Sequence, residues 1–294
     1  MTQYILDSPA KINITLRVGE QRSDGKHDLV SLFLRIPAAE KLTLRYLYSD
    51  NVREDVLRVY GWPLTGKNIL RSVMEAARRR EPAFPPLEMT LFKHIPPGTG
   101  LGAGSGNAAA LVEWLRTFGG VEISSDDILA LGADIPFLSS ADDIAICGGL
   151  GQKILFGQPE IPRRPLRLLA VIPRWRCNTG ELYAMLDLAR TRNVAGTDPG
   201  EAGKEALSIM RRLSAMKPVG ELPNDFLPVV ASVEPAVEKL STALRSSGAL
   251  GWGLSGSGSA MFALYPPFEE LSHIASEIES TGLVDQILVR DVLA

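Results

Sequence analysis

Gly98, Gly100, Gly102, Gly104 and Gly106 alternate with other residues through the stretch Pro96 to Ala110, PPGTGLGAGSGNAAA. A chain without side chains at every second position can bring bare backbone N–H groups against a bound anion. The flanks restrict it further. Leu87, Met89 and Leu91 before it alternate with polar neighbours as in a strand. Ala108 to Phe118 after it place Ala108, Leu111, Val112 and Leu115 on one helical face, with Gly119 as the stop. Strand, glycine loop and helix N-terminus form a phosphate cradle, because unpaired N–H groups and the helix dipole both favour negative charge. Linkers rarely have such flanks. A dinucleotide turn of the G-x-G-x-x-A type fits Gly98, Gly100 and Ala103, but no second strand ending in an acid follows.

Composition narrows the classes. A chain of 294 residues with 45% hydrophobic and 22% charged residues is long enough for two domains of ordinary globular make-up. A net charge of -3 gives no general attraction to nucleic acid. No apolar run suits a membrane span, and MTQYILDSPAK lacks the basic and apolar regions of a signal peptide. Cys147 and Cys177 have no metal-ligand spacing. A reduced, cytoplasmic compartment is the expectation.

Along the chain, Ile12, Ile14, Leu16 and Val18 alternate with Lys11, Asn13, Thr15 and Arg17. This predicts a strand over Ala10 to Val18 with Lys11 and Asn13 on its polar face, either solvated or functional. His27 stands after a turn at Ser23-Asp24-Gly25, and by spacing alone is a surface or packing residue. Gly61 to Lys67 imitates a P-loop, yet Asn68 stands where the Mg²⁺-binding Ser or Thr belongs. Asn68 is better read as the cap of a helix carrying Ile69, Val73, Ala76 and Ala77 and ending at Arg78 to Arg80. Ser124 and Asp127 have capping-box spacing, and Asp134 is placed to cap a helix starting at Ile135 and Pro136. The proline-rich GQPEIPRRP marks a connector, giving domains over 1–156 and 157–294.

In the second half a buried strand is predicted from Leu166 to Ile172. Further helices are predicted after Thr179, from Lys204 to Ala215 and from Val229 to Arg245, with RNVAGTDPGEAG as a loop before Lys204. Gly251 to Ser259 forms either a tight hairpin or a second backbone surface approaching a ligand or the first loop. A helix from Phe268 and a strand in LVDQILVRDV complete an α+β lobe.

Several segments, in this order, resemble the GHMP kinase superfamily, and within it the branch that phosphorylates 4-diphosphocytidyl-2-C-methyl-D-erythritol. They are Ser8-Pro9-Ala10-Lys11-Ile12-Asn13, Arg22 to Leu29, Lys67-Asn68-Ile69, the glycine stretch, Leu131 to Phe137, Asn224-Asp225-Phe226 and Leu254 to Gly258. The resemblance implies an α+β, two-lobed fold, with an N-terminal lobe like ribosomal protein S5 domain 2 and a ferredoxin-like C-terminal lobe. It implies ATP-dependent phosphorylation of the substrate's 2-hydroxyl, in the non-mevalonate route to isoprenoid precursors. Lys11 and Asp134 would be the catalytic pair. Asn13, Lys26, His27, Thr179 and Tyr183 would hold the substrate. Asn68, Lys93, Pro96, Gly98, Gly100, Leu101, Gly102, Ala103, Gly104, Ser105, Gly106 and Asn107 would bind ATP, with Ser105 also near Mg²⁺. A small molecule is the expected partner, neither nucleic acid nor membrane, for a monomer or weak homodimer.

Three departures from the family pattern stand out. Ser105-Gly106 replaces two serines, Lys26 replaces an aromatic ring, and Gly98-Thr99-Gly100 replaces a run of glycines. Two alternatives follow: a GHMP kinase for another alcohol, and a relative that holds a nucleotide without phosphoryl transfer.

Overall fold

The structure, a computed structural model, describes residues 2–47, 54–157, 161–190 and 198–293. It divides into two compact units, one of Met1–Lys11, Ile36–Pro97 and Gly102–Ala141, the other of Ile12–Arg35, Gly98–Leu101 and Asp142–Ala294. Two long paired strands, β1 (Gln3–Gln21) and β2 (His27–Tyr46), contribute residues to both. The alternation predicts β1 but not its burial. Its polar positions Lys11, Asn13 and Thr15 are as buried as Ile12 and Ile14.

The first unit continues through β3 (Val56–Gly61), α1 (Ile69–Arg80) and β4 (Leu87–Lys93). β4 pairs antiparallel with β2 from Lys41↔Phe92 to Tyr46↔Leu87 and parallel with β3. Leu42, Leu44, Leu87, Met89 and Leu91 are buried along these strands. Asn68 caps α1 as predicted, its Oδ1 accepting the Leu70 N–H at 2.9 Å. Three helices follow: α2 (Ala103–Trp114), which runs on as a wider turn through Leu115–Gly119, α3 (Ser125–Leu131) and α4 (Ile135–Ser139). α2 thus starts five residues before the predicted Ala108. Only Gly98, Gly100 and Gly102 take left-handed φ angles, of 74°, 77° and 65°, whereas Gly104 and Gly106 are helical. The chain leaves the wider turn at Gly120, left-handed at φ 67°, one residue after the predicted stop.

In the second unit β5 (Ile144–Gly148) pairs with β2, and β6 (Lys153–Phe156) pairs with β5. β7 (Leu166–Pro173), α5 (Thr179–Arg190), α6 (Pro199–Ser214), β8 (Gly220–Glu221), α7 (Leu227–Val233), α8 (Ala236–Ser246), β9 (Gly251–Leu254), β10 (Met261–Tyr265), α9 (Ser272–Ser280) and β11 (Val284–Val292) follow. Five of these strands form one sheet in the order β11-β7-β10-β9-β8. Their inner side chains, with Leu182, Leu186, Phe226, Val230 and Leu240 from the helices, make one apolar core.

Three predictions need correction here. The helix predicted from Lys204 begins at Pro199, because Asp198 is extended and accepts the Glu201 N–H at 3.0 Å, with proline at the first helical position. The loop predicted over 192–203 is therefore partly helical, and its residues up to 197 lie outside the described ones. The single helix predicted from Val229 to Arg245 is two, interrupted at Glu234-Pro235, since proline supplies no N–H for the helical ladder. The last helix starts at Ser272, and Phe268 is almost fully exposed. Among the described residues no helix is long and apolar enough to cross a membrane.

Candidate active site

Asp134 decides how the first unit is read. It stands at the N-terminus of α4, where the sequence offers it as a cap, but its side chain makes no capping bond. The backbone explains this. Ser124, Asn68 and Asp198 cap from the extended region with ψ of 152°, 134° and 129°, whereas Asp134 is already helical at φ -79° and ψ -17°. From there its carboxylate does not reach back to the following N–H groups. It points instead toward Lys11 on β1, with Oδ2 3.6 Å from Nζ. The lysine side chain is 6% exposed and the aspartate 26% exposed, so the pair has one open side.

Gly102 fixes the third side of this arrangement. A Cβ on Gly102 would stand 3.1 Å from Asp134 Oδ2 and 3.1 Å from Lys11 Cε. The turn that starts α2 therefore rests on the charged pair through bare backbone, and its leading N–H groups belong to residues 103–105, since the Gly106 N–H donates to the Gly102 carbonyl at 2.9 Å. Ser105 extends the group, its Oγ 3.4 Å from where a Cβ on Gly132 would stand, two residues before Asp134. A cation, a carboxylate, a hydroxyl and a helix N-terminus with no side-chain cap are the donors and acceptors that phosphoryl transfer needs.

The remaining predicted nucleotide residues of this unit differ in setting. Gly104 faces open space, and Ala103 is buried. Gly106 presses against β1, where any Cβ would fall 1.6 Å from the Pro9 carbonyl oxygen. Asn68 uses its oxygen as the cap and leaves Nδ2 buried without a hydrogen-bond partner. Such a donor costs free energy unless a ligand accepts from it. Lys93 is buried and its ammonium lies 2.6 Å from Glu40. Pro96 is buried beside Ile95.

The second unit holds the rest of the glycine stretch. Gly98–Leu101 is clasped by the turn joining β9 and β10. The Ser255 hydroxyl donates to the Gly100 carbonyl at 3.1 Å, and the Ala260 N–H donates to the Thr99 carbonyl at 2.9 Å. A Cβ on Gly100 would lie 2.1 Å from the Ser255 carbonyl oxygen. Of the two readings of Gly251 to Ser259, both hold, since the segment is a hairpin and also approaches the first loop. Asn224 braces it by donating to the carbonyls of Leu254 and Gly256. Asn13 donates through Nδ2 to Ser31 Oγ at 2.8 Å, and its N–H reaches Ser255 Oγ at 3.3 Å.

Also in this unit, the His27 ring stacks on Tyr183 at 5.0 Å and 25°, and its Nε2 lies 2.8 Å from Asp187 Oδ1. Tyr183 in turn meets Phe226 edge-on. Thr179 and Ser257 exchange a hydrogen bond of 2.8 Å, and Lys26 is exposed. Glu40, Ser8, Asp187 and Ser255 were not singled out by the sequence reading. Glu40 had a legible signal, a charge in phase with the buried Leu42 and Leu44.

The N terminal domain of GHMP kinases matches residues 68–149, and the GHMP kinases C terminal domain matches residues 201–283. A protein of Porphyromonas gingivalis called 4-diphosphocytidyl-2-C-methyl-D-erythritol kinase is 33% identical over 275 residues, covering 90% of this chain and 93% of the relative. The chain belongs to the GHMP kinases. A Solidesulfovibrio magneticus GHMP kinase of the same name is 32% identical over 276 residues, covering 90% of this chain and 88% of its own. The crystal structure of a 4-(cytidine 5'-diphospho)-2C-methyl-D-erythritol kinase superposes with a TM-score of 0.78 at 23% identity over 99% of both chains, and so shares the fold. The two-lobed GHMP kinase fold expected from the motifs is the fold observed. ATP is the phosphoryl donor of GHMP kinases.

Proposed function

We propose that this GHMP kinase transfers the γ-phosphoryl group of ATP to the 2-hydroxyl of 4-diphosphocytidyl-2-C-methyl-D-erythritol, a step toward isoprenoid precursors. The observation that carries the catalytic assignment is the uncapped Asp134, turned to Lys11 across Gly102. Asp134 accepts the proton of the attacking hydroxyl or orients it, and Lys11 offsets the charge that spreads over the moving phosphoryl. Backbone N–H groups of the glycine stretch hold the phosphates, and the spare Nδ2 of Asn68 is a donor for the nucleotide.

Mg²⁺ fits the donors present, since Ser105 Oγ and the Asp134 carboxylate are hard oxygens and this ion takes most of its ligands from phosphate and water. When bound with ATP it neutralises phosphate charge. The cytidine end is assigned to Tyr183 and His27, supported by the 30–33% identity to enzymes named for that substrate. By the same inheritance residues 1–156 and 157–294 are read as the two domains, their boundary lying between the family matches at 68–149 and 201–283.

The test is ADP release with ATP and the diphosphocytidyl alcohol, each omitted in turn. Turnover that requires both is the expected result, and Asp134→Asn should lower kcat by about 10² to 10⁴ with the melting temperature nearly unchanged, because no capping bond is lost. Near-normal turnover in Asp134→Asn would remove the carboxylate from the chemistry. A nucleotide-binding role without transfer loses its motive at Gly106, where there is no room for the replaced serine.

A further inference from the structure

Glu40 is a buried carboxylate that the chemistry above does not use. Its side chain is 0% exposed. Oε1 accepts the Lys93 ammonium at 2.6 Å and the Ile95 N–H at 2.8 Å, and Oε2 accepts Asn107 Nδ2 at 2.8 Å. Asn107 Oδ1 then accepts the Ser8 hydroxyl at 2.6 Å. These bonds join four pieces of chain: the middle of β2, the end of β4 with Ile95 just after it, the first turns of α2, and the part of β1 three residues before Lys11. Glu40 and Lys93 continue the antiparallel register one step past Lys41↔Phe92, so they face each other where β4 leads out toward the glycine stretch.

Stability alone does not account for this network. An apolar pair of the same shape often serves a core as well as a buried ion pair does. What an apolar pair lacks is direction. Charge-assisted hydrogen bonds are short and strongly oriented, and these reach α2 and the backbone at Ile95. Burial lowers the Lys93 pKa, and Glu40 opposes that shift.

We propose that Glu40 is a positioning residue for phosphoryl transfer, holding the first turns of α2 in register with the strand that carries Lys11, and that Lys93 and Asn107 act through Glu40 instead of contacting the nucleotide. The proposal rests on the kinase reading given above. Gly106 supports it independently, since α2 and β1 are already in backbone contact there and a small shift moves Ser105 relative to Lys11. A misplacement of about 1 Å in an active site can cost about 10²-fold in rate.

The test uses the Glu40→Gln/Lys93→Met double variant, which removes both charges together and keeps their shapes, and Ser8→Ala, which cuts only the last link. For the double variant kcat should fall about tenfold to a hundredfold while the ATP dissociation constant, by calorimetry, stays within about threefold. Ser8→Ala should lower kcat by at least about threefold while the protein stays folded with a melting temperature lowered by only a few degrees, which keeps the idea testable if the double variant does not fold. Amide hydrogen exchange at Ile95 and over residues 103–107 should quicken in the double variant but not along β4, a readout independent of turnover. Parental kcat in either variant, unchanged exchange, or a tenfold loss of ATP affinity in the double variant would overturn the proposal. If the parent protein turns over nothing, the functional reading fails, and exchange still judges the network.

Discussion

At Gly106 the distance between α2 and β1 is set by a missing side chain. Gly106→Ser would put a Cβ 1.6 Å from the Pro9 carbonyl oxygen, so strand or helix must move. The expected result is a loss of about 1–3 kcal/mol, the usual cost of overpacking, seen as a lower denaturation midpoint with reduced turnover. A serine that left both unchanged would refute the close approach. In the sequence Gly106 is a serine lost from the family pattern, because spacing along a motif carries no information about which backbone passes beside it. Asp134 was ambiguous for a related reason. Capping and catalysis ask for the same residue type, and only the φ and ψ angles separate them. Lys11 and Asp134 should also behave as one unit. The double variant Lys11→Ala/Asp134→Asn should lose scarcely more kcat than either single one, and strictly multiplicative losses would show that they act separately.

Helix starts were legible at Asn68 and Ser124, where a cap in extended backbone stands directly before a helical pattern. The start at Asp198 was missed because the polar run around it reads as a loop. Asp198→Ala should cost about 1 kcal/mol, and Asp198→Asn much less, measured by equilibrium unfolding. An equal loss in both would mean that the charge, and not the capping bond, matters. β1 was legible as a strand through its alternation, with its polar face open to either a solvated or a functional reading, whereas β2 was not predicted as a strand. Burial of Lys11, Asn13 and Glu40 comes from neighbours far away in sequence, such as Ser31, Ser255 and Asn107. Periodicity within one strand has no access to those partners.

For the whole molecule, substrate selectivity and nucleotide binding separate into different measurements. Tyr183→Ala removes the ring stacked on His27 and should raise the KM for the diphosphocytidyl alcohol by about tenfold or more, with the KM for ATP within about twofold. An unchanged cytidine KM would sink the substrate assignment and leave the kinase assignment standing. ATP with Mg²⁺ at a hundred times its dissociation constant should stabilise the chain by about 2.7 kcal/mol, visible as a rise of several degrees in Tm. The order of the fold was legible in the motif series, since the resemblance spans most of the chain. The interleaving of the units was not, because no local pattern marks residues 12–35 or 98–101 as belonging with the C-terminal half. That interleaving bears on how the protein is born. On a ribosome every residue of the first unit has emerged once Ala141 is out, so Lys11 and Asp134 can meet while synthesis continues. Residues 12–35, made among the earliest, must wait for the last strand, roughly ten to fifty seconds at ordinary elongation rates. During that interval the apolar face carrying Leu16 and Val18 gains its core partners only step by step, from Leu169 on to Met261 and Ile278, which makes the nascent chain a natural client for a holding chaperone.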